Sequence, residues 1–169
     1  MIFILFLASA CATPVGVKRS SEQEVYRQLT ANALSGDQPS SFSRQFLQRL
    51  SLADQYEKDP KGALAELHAG LGLPDERDRL FALAELSLIY ARERNDQPYF
   101  LAAALYAYSF LFPDDSSRAP LPHDQRLLLA VGIYNRGITN GFRAPEGNEV
   151  SLSARRFTLP FGTLKLSVD

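Results

Sequence analysis

Two almost unbroken apolar stretches constrain this chain more than anything else in it. From Leu80 to Ala91 the only polar residues are Glu85 and Ser87, and from Tyr99 to Phe112 the sole polar side chain among aliphatic and aromatic ones is Ser109. A helix with apolar groups on most of its circumference has to be surrounded, so both stretches are read as core helices, the first of them central. At 1.5 Å per residue the second spans about 21 Å, short of the ~30 Å hydrocarbon thickness of a bilayer. Pro98 and Pro113 bound it tightly, which fits a buried helix and not a membrane span. The 169 residues, 46% hydrophobic and 22% charged, supply one ordinary globular domain with room for such a core. A formal net charge of −1 provides no global field to hold nucleic acid or an anionic membrane surface.

The rest of the body has helical periodicity. Ser21-Glu22-Gln23-Glu24 forms a capping box that starts a helix near Glu22, with Val25, Leu29 and Ala33 on one face until Ser35-Gly36-Asp37-Gln38-Pro39 breaks the pattern. A second amphipathic stretch follows from about Ser41, with Phe42, Phe46, Leu50 and Ala53 on its buried stripe. Asp59-Pro60 supplies an N-cap and a first-turn proline, and Gly70 is placed to stop that helix. Asp75-Glu76-Arg77-Asp78-Arg79 mixes signs and is read as a solvated first turn. Leu127, Val131, Tyr134 and Ile138 give one last amphipathic helix, ended by Gly141. The expected fold is mainly α: antiparallel helical hairpins with a short β-rich C-terminal tail. Leu86-x₃-Tyr90, followed by Ala102-x₃-Tyr106-x₂-Ser109 and Pro113, resembles the small/large pattern of a tetratricopeptide repeat; an αα-hairpin that happens to pack Ala against Tyr explains it equally well.

The two ends carry different signals. The apolar run Ile2-Phe3-Ile4-Leu5-Phe6-Leu7, then Ala8-Ser9-Ala10, then Cys11 follows the order of an export signal and resembles a bacterial lipobox. On this reading residues 1–10 are a signal peptide, Cys11 is the lipidated first residue of the mature protein, and residues 11–20 are its tether. A buried, inert cysteine is the competing reading. Each buried acyl CH₂ contributes about 0.8 kcal/mol, so two or three chains on Cys11 hold a domain on a bilayer without a spanning helix. Ala12 in place of Asp fits sorting to the outer membrane. Residues 21–142 form the helical domain. In the tail, residues 143–169, Glu149-Val150-Ser151-Leu152, Phe157 with Leu159, and Leu164, Leu166 with Val168 alternate as strands, and Pro160-Phe161-Gly162-Thr163 forms a turn. So few strands need a covering layer. Either the helical body supplies it, or the tail begins a domain that continues elsewhere; the second is favoured.

No catalytic signature is present: the sequence has no G-x-S-x-G, H-E-x-x-H, phosphate-binding loop or dinucleotide fingerprint. Its single cysteine and two widely spaced histidines make neither a disulfide framework nor a plausible metal site, so no cofactor and no metal are expected. His68 is read as a surface residue near a helix C-terminus, where an imidazolium suits the dipole, and His123-Asp124 as a helix start. Tyr99, Tyr106, Tyr108 and Phe110 are expected in the core, with room for an exposed tyrosine lining a peptide groove.

Cys11-Ala12-Thr13-Pro14-Val15-Gly16-Val17, Leu29-Thr30-Ala31-Asn32, Leu80 through Leu86, Tyr106-Ala107-Tyr108 with Leu111-Phe112-Pro113, Tyr134-Asn135-Arg136-Gly137 and Leu159-Pro160-Phe161-Gly162 together resemble the N-terminal part of longer bacterial lipoproteins predicted to carry an α/β-hydrolase domain downstream. That resemblance implies a membrane-anchored, non-catalytic helical accessory domain of a lipoprotein serine hydrolase in the cell envelope. It assigns no nucleophile, acid or histidine to any position here. The expected partners are the lipid bilayer, through acylated Cys11, and a protein or peptide. A stand-alone interaction module of the envelope is the alternative.

Overall fold

A computed structural model describes residues 31–115, 119–144, 149–150 and 155–167. Helices α1 (Ser41–Arg49), α2 (Ala53–Lys58), α3 (Pro60–Ala69), α4 (Glu76–Arg94), α5 (Gln97–Leu111) and α6 (Arg126–Gly141) precede a hairpin of β1 (Arg155–Leu159) and β2 (Gly162–Leu166). The fold is therefore mainly α with a short β-rich tail. The capping box at Ser21, the helix expected near Glu22, Cys11 and Val168 lie outside the described residues.

α4 is the axis of the body. Every residue from Phe81 to Ala91 is buried, as the absence of a polar face in that stretch requires. α1, α3, α5 and α6 all pack on it, and α4 and α5 form an antiparallel hairpin. Asn95 ends α4 in the left-handed conformation that asparagine tolerates better than most residues. Across that turn the Tyr90 and Tyr99 rings lie 4.5 Å apart, with the Lys61 ammonium above both. α3 begins as its sequence dictates: Pro60 takes the first turn, and the Asp59 carboxylate accepts from the Gly62 amide at 3.1 Å.

Two stripes differ from their sequence reading. On α1 the buried residues are Ser43, Phe46 and Leu47, while Phe42 is 41% exposed and Ala53 belongs to the next helix. On α6 the buried residues are Ala130, Ile133, Gly137 and Gly141. Leu127, Tyr134 and Ile138 flank them half-buried, and Val131 is exposed. The small residues win because they allow α5 to approach: a Cβ on Gly137 would stand 2.7 Å from the Phe100 carbonyl oxygen and 2.9 Å from the Ala104 Cβ.

The tail forms an antiparallel pair with Phe157 opposite Leu164 and Arg156 opposite Lys165, joined through Pro160-Phe161. Its alternation is the expected one, with Phe157, Leu159, Leu164 and Leu166 half-buried on one face and Arg156, Thr158, Thr163 and Lys165 exposed on the other. The apolar face leans on the helical body. Phe157 meets Phe142 edge to face, 5.3 Å between centroids, and Phe161 packs against the core. Of the expected strand at Glu149-Val150, the structure shows an isolated bridge between Arg143 and Val150.

Candidate functional site

The polar groups of the body fall into three clasps. The first centres on Glu85, which is fully buried in the middle of α4. Its Oε1 accepts from the backbone amides of Ala33 (3.1 Å) and Ser40 (3.0 Å), and its Oε2 accepts from the hydroxyls of Ser40 and Ser43, both at 2.6 Å. A carboxylate buried this deeply survives only with such a full set of donors. Seven residues along α4, Arg92 donates to the carbonyls of Ala33 and Gly36 and pairs with Asp37 at 2.6 Å. Together Glu85 and Arg92 fix residues 33–40 against the central helix.

The second clasp surrounds Arg126 at the start of α6. Its guanidinium makes a forked contact with Asp124 (Nε to Oδ1 3.0 Å, Nη2 to Oδ2 2.8 Å), while Nη1 reaches Asp78 at 2.7 Å. Phe42, Phe81 and Phe110 stand 5.3 to 5.7 Å from the same guanidinium carbon. The hydrogen bond from Arg126 holds the Asp124 carboxyl below its usual range. Burial pushes Asp78 upward, but hydrogen bonds from Arg126 and Arg49 outweigh it and leave that carboxyl lowered as well. The charge run at the start of α4 is only partly solvated: Asp78 serves this clasp, and Arg79, only 6% exposed, pairs with Asp75 at 3.0 Å. Asp124 also accepts from the Arg126 amide, doing the helix-start work expected of it, and His123 is exposed in the preceding turn.

His68 forms the third. Its Nδ1 is 2.8 Å from the Tyr106 hydroxyl, and its ring stacks on Phe161 at 4.5 Å and 12°. This one side chain therefore joins α3, α5 and the hairpin turn. Burial lowers its pKa, so the neutral imidazole is the preferred form. The ring is half-buried, where a surface position was expected.

Accessible surfaces among the described residues include a cleft and an apolar strip. A cleft of about 360 Å³ lies between residues 37–39, α1, α2 and α4; Leu47 and Ile89 line it beside the charged groups of Arg44, Glu57 and Glu93. The Tyr56 hydroxyl in its wall donates to the Leu86 carbonyl at 3.2 Å, and burial, with Glu93 and Glu85 nearby, pushes the phenol's pKa well up. That phenol is held as a structural donor, unsuited to proton transfer near neutrality. The second surface is an apolar strip along α5 and α6, where Leu105, Tyr108 (50% exposed) and Phe112 (62% exposed) continue into Val131 and Tyr134. Of the aromatic residues expected in the core, Tyr99, Tyr106 and Phe110 are buried and Tyr108 is not.

Cys11, the predicted lipidation site, lies outside the described residues. Among the described residues no group of His, Asp and Glu is arranged to hold a metal ion, and no helix is long and apolar enough to cross a membrane. Sequence reasoning missed the partners of Glu85 and the role of His68. The lone carboxylate within an apolar run was the available signal for the first; nothing local signalled the second. The chain matches no family model, no curated protein and no solved structure.

Proposed function

We propose that this chain is a lipid-anchored, non-catalytic helical domain of the bacterial envelope, accessory to a serine hydrolase of the α/β type. The observation that carries the non-catalytic part is the use to which its buried polar groups are put. Glu85, Asp124, His68 and Tyr56 each have the chemistry of an acid, base or proton donor, and each is engaged in fixing one element against another. A general base needs a free, correctly aimed lone pair within reach of a reacting group. The anchor rests on the apolar run, small residues and cysteine ending at Cys11, and the hydrolase on the phrases quoted above.

Cys11→Ser tests the anchor: the wild-type chain incorporates palmitate and sediments with membranes, and the variant does neither. Unchanged partitioning of the variant rejects it. The association with a hydrolase is tested by blotting envelope fractions with antibody to this domain. A reactive species much larger than 18.8 kDa, labelled by a fluorophosphonate probe for active serines, supports the reading, and a species of the domain's own size that takes no label contradicts it. The apolar strip of Leu105, Tyr108 and Phe112 favours a second reading, an interaction module acting by itself, which is the reading that the smaller species would support.

A further inference from the structure

We propose that the outward face of the β hairpin is a docking surface for anionic phospholipid headgroups, which turns one side of the domain toward the bilayer. The proposal rests on the lipid-anchored reading. Arg156 and Lys165 are directly opposite each other across the strand pair, exposed, with Thr158 opposite Thr163 on the same face. Like charges placed this way repel and weaken a hairpin. No Asp or Glu lies within residues 150–167 to offset them; Glu149 and Asp169 flank that segment.

Among the described residues neither Arg156 nor Lys165 has an ion-pair partner, as is also true of several exposed cations of the helical body. The hairpin cannot turn these cations inward, because its other face is committed to the body through Phe157 and Phe161. Two cations flanked by two hydroxyl donors suit phosphate oxygens. The absence of aromatic side chains on this face disfavours a nucleic acid strand, which needs stacking platforms. A bilayer to which the chain is already tethered presents its charge at high local concentration, so a weak patch suffices to orient the domain.

The test uses the full chain carrying Cys11→Ser, so that acylation plays no part and its failure leaves the test intact. Co-sedimentation is measured with vesicles of phosphatidylcholine alone and with phosphatidylglycerol added, at low and high salt. The expected result is preference for the anionic vesicles, lost at high salt, and a roughly 30-fold weaker affinity for them in Arg156→Gln/Lys165→Gln, at about fivefold per cation removed. The charge-conserving Arg156→Lys retains the preference, and circular dichroism reports the helical body intact in each variant. Equal binding to both vesicle types, an unaffected double variant, displacement by inorganic phosphate, or binding to a single-stranded oligonucleotide without binding to vesicles overturns the proposal.

Discussion

Glu85 shows how much a single side chain can decide here. Two amides and two hydroxyls separated from it by 42 to 52 positions converge on one carboxylate, so the loop before α1 and the start of α1 are both fixed by it. Glu85→Ala leaves those donors buried and unsatisfied, and is expected to cost about 3 kcal/mol or more in urea unfolding. A loss under about 1 kcal/mol would show that water or rearrangement replaces the carboxylate. The sequence announced that Glu85 needs partners but not which ones, because Ser40 and Ser43 look like ordinary helix-start residues. His68 carries a different prediction. Its folded-state pKa lies below the unfolded value of 6.5, so the unfolded chain takes up the proton first and stability falls as pH drops through the folded value. Above the unfolded value its contribution is complete. His68→Gln flattens the pH dependence of the melting temperature in the weakly acidic range. The lowered carboxyls of Asp78 and Asp124 place a second loss below about pH 4, which Arg126→Met removes at the expense of stability throughout.

At the scale of the element, α6 is the instructive case. Leu127, Val131, Tyr134 and Ile138 satisfy helical spacing, and so do Ala130, Ile133, Gly137 and Gly141 one face round. The helix was legible, and its buried face was not. Reading by bulk selects the large side chains, whereas close approach to α5 selects the small ones, and that choice depends on the surface α5 presents at Phe100 and Ala104. Gly137→Ala is therefore expected to cost about 1–3 kcal/mol by forcing the two helices apart. Gly36→Ala meets nothing within 4 Å and is expected to be neutral or to stabilise by up to about 1 kcal/mol. Equal effects in thermal unfolding would contradict the packing described. α3, α4 and α5 were readable nearly to their ends because Asp59-Pro60, the apolar run to Ala91 and Pro98 act locally. The first turn at Asp75 to Arg79 is where it was read, but it is only partly solvated, because Asp78 pairs with Arg49 and Arg126 from elsewhere in the chain and Arg79 folds back onto Asp75.

For the whole molecule, the described residues couple a helical body to a hairpin through His68 and Tyr106 against Phe161 and Phe142 against Phe157, and several charged side chains hold segments in place. That use of its polar chemistry, together with the apolar run, small residues and cysteine ending at Cys11, is what supports the proposed reading of a non-catalytic envelope domain. The central claim is the thiol-linked anchor, and intact-mass analysis of the protein extracted from membranes tests it most directly. The account predicts a chain beginning at Cys11, heavier than the processed polypeptide by a diacylglyceryl group with or without an added acyl chain. A chain that retains Met1 and a free Cys11 thiol would contradict it.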